Sequence, residues 1–320
     1  MKGYEGWKAS LAVVVMGAVL LAFLGPVLFS PGDYVFSADG DGLQTYYQSI
    51  YHVKHDTSAL HQHGMNAPFG ESIFFTGGQP LLSNVIKYTC GDSCPASTVV
   101  AWTNMLMLLS PLLCALFLYL ILKRFEIPWY YALLLAVGIT MLTQQWERFL
   151  GHYSLAYLYA VPGMLWGWMR WSDRSNTSRT FWNMGYLFVM ASFHLYYLFF
   201  FAAIAASMWV THFPWRNGSW RQRVLVTAQV AVQVIVPFIF LQLIISTSSD
   251  VTDRTAIPWG FTVYRSYWQS YLWPSGMWYE QAFAFLRGTN PLEWEGMCYI
   301  GMGAMLMMFA SPWRWFQQRS

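Results

Sequence analysis

Two carboxylates one residue apart, Asp39 and Asp41, stand in the run Ser37-Ala38-Asp39-Gly40-Asp41-Gly42. An apolar stretch, Trp7–Phe29, precedes them and is long enough to cross a hydrocarbon core of about 30 Å. Carboxylates at a membrane–water boundary can take a proton from an acceptor hydroxyl, or hold a divalent cation, beside a substrate delivered through lipid. Structural roles compete for the same residues. Asp41 and Gln44 have the spacing of a helix capping box, and Asp39 beside glycine suits an ordinary turn. A calcium loop does not fit, because Leu43 falls on a ligand position and no bidentate Glu follows at the right distance.

Other polar groups gather in three further patches. Residues 66–80 are rich in Pro, Gly and polar side chains, and place Glu71 and Gln79 either toward a polar ligand or toward loop backbone. In Gln145-Trp-Glu147-Arg148-Phe-Leu-Gly-His152, the spacing predicts that Arg148 and His152 share one helix face. Such a cationic pair could bind a phosphate; the competing role for Arg148 is a snorkelling side chain paired with Glu147. His194, ahead of Tyr196-Tyr197, is a ligand contact or a packing residue, and Arg254 is a further cation for phosphate. His61 and His63 make a weak metal signal. Cys90 and Cys94 suit a small disulfide ring in an oxidising compartment, whereas Cys114 and Cys298 read as apolar packing residues.

These patches need elements to hold them, and composition says which. The chain is 56% hydrophobic and only 10% charged, against about 25% charged in soluble domains. That excludes a water-soluble globular domain. Spans are expected at Trp7–Phe29, Thr98–Leu122, Trp129–Thr143, Ser154–Met169, Phe181–Phe193, Tyr197–Phe213, Val224–Ile245 and Met297–Ala310. The fold class is therefore all-α, a polytopic integral membrane protein of about eight transmembrane helices in a single domain over 1–320. Long outer loops are expected at 30–97 and at 246–296, the second dense in Trp and Tyr.

With the N-terminus in the cytoplasm, Lys2, Lys8, Lys123, Arg124, Arg170, Arg174, Arg179, Arg216, Arg221, Arg223, Arg314 and Arg319 fall inside, and the remaining 6 of 18 basic residues fall outside. Joining 181–213 into one helix would move Arg216, Arg221 and Arg223 outside, which favours a break at His194. Leu43, Tyr47, Ile50, Tyr51 and Lys54 recur with helical spacing, so a helix lying along the membrane surface is expected in the first outer loop. No nucleotide-binding loop or soluble inner domain is evident, and nucleic acid is not an expected partner. The polar complexity is all outside.

Taken in order, Gly40-Asp41-Gly42-Leu43, Asn66–Glu71, Gln79–Leu82, Arg148–His152 and His194–Tyr197 resemble the patches of a bacterial branch of the GT-C superfamily of polytopic glycosyltransferases. The resemblance extends from about residue 7 to 275. It implies transfer of a sugar from a polyprenyl-phosphate donor to a glycan, lipid or protein acceptor at the outer face of a bacterial inner membrane. On that reading Asp39 or Asp41 is the general base or the ligand of a divalent cation, and Arg148 or Arg254 stabilises the departing lipid phosphate. Glu71, Gln79, His152 and His194 contact substrate. A transporter or flippase of lipid-linked saccharides, or a non-catalytic assembly protein, are the alternative functions.

Overall fold

The computed structural model describes residues 6–213, 218–248, 266–274, 280–286, 299, 301 and 304–305. Two compact units divide the chain at residue 250. Among the described residues, the first carries nine helices: α1 (Gly6–Phe29), α2 (Gly40–His55), α3 (Pro80–Cys90), α4 (Ala96–Arg124), α5 (Trp129–Leu142), α6 (Ala160–Asp173), α7 (Thr177–Ala191), α8 (Tyr196–His212) and α9 (Trp220–Ser246). A two-stranded antiparallel ladder pairs β1 (His61–Gln62) with β2 (Glu71–Ser72). In the second unit the described residues form a short helix, α10 (Trp268–Leu272), and a 3-10 turn at Glu280–Leu286.

Among the described residues three helices, α1, α4 and α9, are long and apolar enough to cross a membrane, while α5 and α8 are apolar but shorter. The chain is a membrane protein. At about 1.5 Å per residue, 24 residues reach across the hydrocarbon core and 14 do not. The expected break at His194 is present, since α7 ends at Ala191 and α8 begins at Tyr196. The span expected over 154–169 differs. It opens on a 3-10 turn, Tyr153–Leu155, which follows another at Gln144–Leu150, and the helix starts only at Ala160. The last expected span lies almost wholly outside the described residues.

Side-chain matches fix how the helices run. Ala12 packs with Tyr119, and Met16 and Leu20 pack with Ala115, so α1 and α4 are antiparallel. At one end Trp7 meets Trp129, their ring centroids 6.3 Å apart. At the other, Asn104 on α4 donates 2.7 Å hydrogen bonds to the carbonyls of Pro31 and Tyr34, just beyond α1. On α6, Gly163 and Gly167 form a small-xxx-small face. A Cβ at Gly163 would lie 2.1 Å from the Tyr186 hydroxyl, and one at Gly167 would lie 2.4 Å from Asn183 Oδ1. Close approach of this kind substitutes for a hydrophobic driving force, which is missing between helices in lipid. Asn183 then donates to Gln233 Oε1 on α9 at 2.7 Å, joining three helices through a buried amide pair.

The segment between α1 and α4 sits at the end of the helices marked by Asn104. There α2 buries a largely polar face. Thr45, Gln48, Ser49 and His52 are buried beside Tyr46 and Val53, while Leu43 and Tyr47 are about half exposed. His52 Nδ1 meets Asp56 Oδ2 at 2.9 Å, and Lys87 on α3 donates to the carbonyls of His52 and Asp56. Buried charge is tolerated here because each group has a partner. A disulfide joins Cys90 to Cys94 as α3 ends.

The α6–α7 contact is open to a direct test. Gly163→Val should lower stability by about 1–3 kcal/mol through overpacking. Gly185→Ala, with nothing within 4 Å of its Cβ, should change little. Thermal denaturation in detergent reads both.

Candidate functional site

The residue that positions the candidate site is Gly42. A Cβ there would lie 2.5 Å from the Ser37 Cβ, 2.7 Å from the Tyr153 hydroxyl and 3.0 Å from the Leu150 carbonyl. No side chain fits, so the first turn of α2 lies directly against the Leu150–Tyr153 turn. Beneath it, Tyr46 and Tyr153 meet edge-on with centroids 5.0 Å apart. The Tyr46 hydroxyl donates to Asn104 Oδ1 and accepts the Phe36 N–H at 3.3 Å. Asn104 has already committed its amide hydrogens to the Pro31 and Tyr34 carbonyls, so its oxygen must be the acceptor. This net fixes the chain from α1 to the start of α2. Burial pushes the Tyr46 and Tyr153 hydroxyls above their ordinary pKa, which keeps both neutral.

The result is one close pairing. Asp41 Oδ2 lies 3.2 Å from His152 Nε2, with the two side chains 58% and 40% exposed. Both are open to an incoming molecule. The structure gives the two aspartates different surroundings. Asp39 occupies the N-cap position of α2 but makes no side-chain cap bond, and its Oδ1 takes the Ser37 hydroxyl at 3.1 Å. Asp41 is in the first turn, caps nothing, and faces His152. The Asp41–Gln44 capping box is absent.

Arg148 and His152 do not share a helix face. The 3-10 turn ends at Leu150, Gly151 is extended, and His152 has a left-handed φ of 54°. That backbone swings the imidazole toward Asp41. Among the described residues Arg148 makes no ion pair with Glu147, and its half-buried guanidinium has no acidic partner.

His194, in the turn between α7 and α8, lies close enough to His152 to feel its charge. Burial first, and the His152 cation second, push the His194 pKa down to about 4. Its Nδ1 accepts the Tyr196 N–H at 3.1 Å, which places the ring proton on Nε2. Two imidazoles therefore stand close together, and His194 is held neutral.

Other expected site residues are placed elsewhere. Gln79 is fully buried, and its Oε1 accepts the Tyr157 hydroxyl. It has a left-handed φ of 48° at the start of α3, so its role is inside the fold. Glu71 is the partner of Gln62 in the β1–β2 ladder. Arg254 lies outside the described residues. No three His, Cys, Asp or Glu side chains converge among the described residues. Gly42, Tyr46, Asn104 and Tyr153 carry the site and were missed in the sequence. The one local signal was Gly42 directly after Asp41.

A family model described as a domain of unknown function, DUF6311, matches residues 13–320. The chain belongs to the DUF6311 family. No curated protein and no solved structure matches this DUF6311 chain.

Gly42→Ala should part the α2 start from the Leu150–Tyr153 turn and cost about 1–3 kcal/mol, while Gly151→Ala should be tolerated, because its nearest neighbour is an ordinary 3.5 Å contact. Thermal melts of the two variants compare them. A second measurement concerns acid. Unfolded His194 takes up its proton near 6.5, and folded His194 does so only near 4. The unfolded state binds more protons between those values, so acidification through that window favours unfolding. The melting temperature should fall from pH 6.5 toward 4, with a shallower fall in His194→Gln.

Proposed function

We propose that this DUF6311 protein is a membrane glycosyltransferase of GT-C type with about eight spans. It would move a sugar from a polyprenyl-phosphate carrier to a glycan, lipid or protein acceptor at the outer face of a bacterial inner membrane. The observation that carries the reading is the Asp41–His152 pair, exposed at the polar end of a helical membrane protein. The bias of Lys and Arg toward the opposite loops supports an outer location for that end.

The chemistry follows from the groups present. An acceptor O–H gives its proton to the His152 imidazole as its oxygen bonds to the anomeric carbon. The bond from that carbon to the phosphate oxygen breaks, and its electron pair leaves on the phosphate. Asp41, hydrogen-bonded to His152, stabilises the imidazolium that forms and orients the ring. His194, neutral and with its proton on Nε2, can donate to a phosphate oxygen. Arg148 supplies a cation with no acidic partner among the described residues. Asp39, engaged by Ser37, acts on the α2 start.

Cells lacking the protein and complemented with wild type, Asp41→Asn, His152→Gln or Asp39→Asn test the reading. Mass spectrometry of envelope glycans and of polyprenyl-linked sugars gives the readout. Loss of His152 or Asp41 should cut transfer by about 10²–10⁴-fold, the usual contribution of a positioned acid–base group. Carrier-linked sugar should accumulate, and Asp39→Asn should retain most activity. Full glycosylation in both the Asp41 and His152 variants would refute the proposal.

A further inference from the structure

A groove of about 460 Å³ runs between α1 and the end of α5, lined by Val19, Leu20, Phe23, Leu24, Met141 and Trp146, with Thr143, Gln144 and Glu147 at one end. Leu24, one of the lining residues, leaves helical geometry (φ −127°, ψ 22°) two residues before Pro26, which kinks α1 there. The Trp146 indole is held by a 2.8 Å bond to the Thr140 carbonyl and forms a fixed wall. Because α1 is a candidate span and Phe23 is 74% exposed, the medium beside the groove is lipid.

We infer that this groove binds one acyl chain of a zwitterionic aminophospholipid, whose ammonium pairs with Glu147 at the polar end. The inference stands apart from the transferase reading. An apolar trough ending in polar groups matches the division of a lipid into chain and headgroup. The sign of the headgroup follows from Glu147. Its carboxylate is exposed at the mouth and has no ion-pair partner among the described residues. A phosphate without a balancing ammonium would meet that negative charge unfavourably, whereas an ethanolamine head supplies the missing cation.

Native mass spectrometry of the full chain, purified in detergent with added palmitoyl-oleoyl phosphatidylethanolamine or phosphatidylglycerol, tests this. Wild type should retain one phosphatidylethanolamine in preference to phosphatidylglycerol. Glu147→Gln should reduce that preference by about two- to fivefold, the range for an exposed ion pair. Val19→Trp should fill the groove and abolish retention. Phe23→Ala removes one exposed wall, should weaken retention, and serves if Val19→Trp does not fold. Equal retention of phosphatidylglycerol, no retained lipid in wild type, or retention unchanged in Phe23→Ala and in folded Val19→Trp would each overturn the inference.

Discussion

The approach of Gly42 to the Leu150–Tyr153 turn governs the polar end of this protein, because it is a contact between two backbones with no room for a Cβ. The turn and α2 come from distant parts of the chain, and each is held in place by other groups. Asn104 and Tyr46 hold the start of α2, through hydrogen bonds that leave no freedom in how the Asn104 amide is oriented. Left-handed backbone at His152 aims the turn. Asp41 and His152 meet as a consequence, and the electrostatic influence of His152 on His194 brings in the α7–α8 turn.

The same end shows how a membrane protein distributes polarity. Helix α2 buries Thr45, Gln48, Ser49 and His52 and leaves Leu43 and Tyr47 out. An ordinary helix of a soluble domain does the reverse. The inward polar face is affordable because α3, the β1–β2 ladder and the loop at 76–79 supply partners, among them Lys87, Asn84 and Gln62. The outward apolar face suits contact with the bilayer surface. In the helices, small residues and amide pairs do the joining, at Gly163, Gly167, Asn183 and Gln233.

How far the sequence was legible follows the same physics. The long helices were readable, because hydrocarbon-length apolar runs permit little else, and the break at His194 was readable from where the arginines would otherwise fall. The periodicity of Leu43, Tyr47, Ile50 and Tyr51 located a helix and one face of it. It could not say that the opposite, polar face would be the buried one. The stretch after α5 misled. Arg148 and His152 have helical spacing, but Gly151 and the left-handed His152 break the helix between them. Local spacing carries no information about a backbone turn imposed by contact with a distant Gly42. Gln79 was readable as a ligand contact or a loop-backbone partner, and its Oε1 accepts the distant Tyr157 hydroxyl, which local spacing does not show.

The central claim is that Asp41, rather than Asp39, meets His152 at an exposed site. It is tested most directly by cross-linking in native membranes with a short bifunctional thiol reagent. Paired cysteines at 41 and 152, in a background with Cys114 and Cys298 replaced by Ala, should link rapidly, and a pair at 39 and 152 should link slowly. Faster linkage of the 39–152 pair, or no linkage of 41 to 152, would contradict the account.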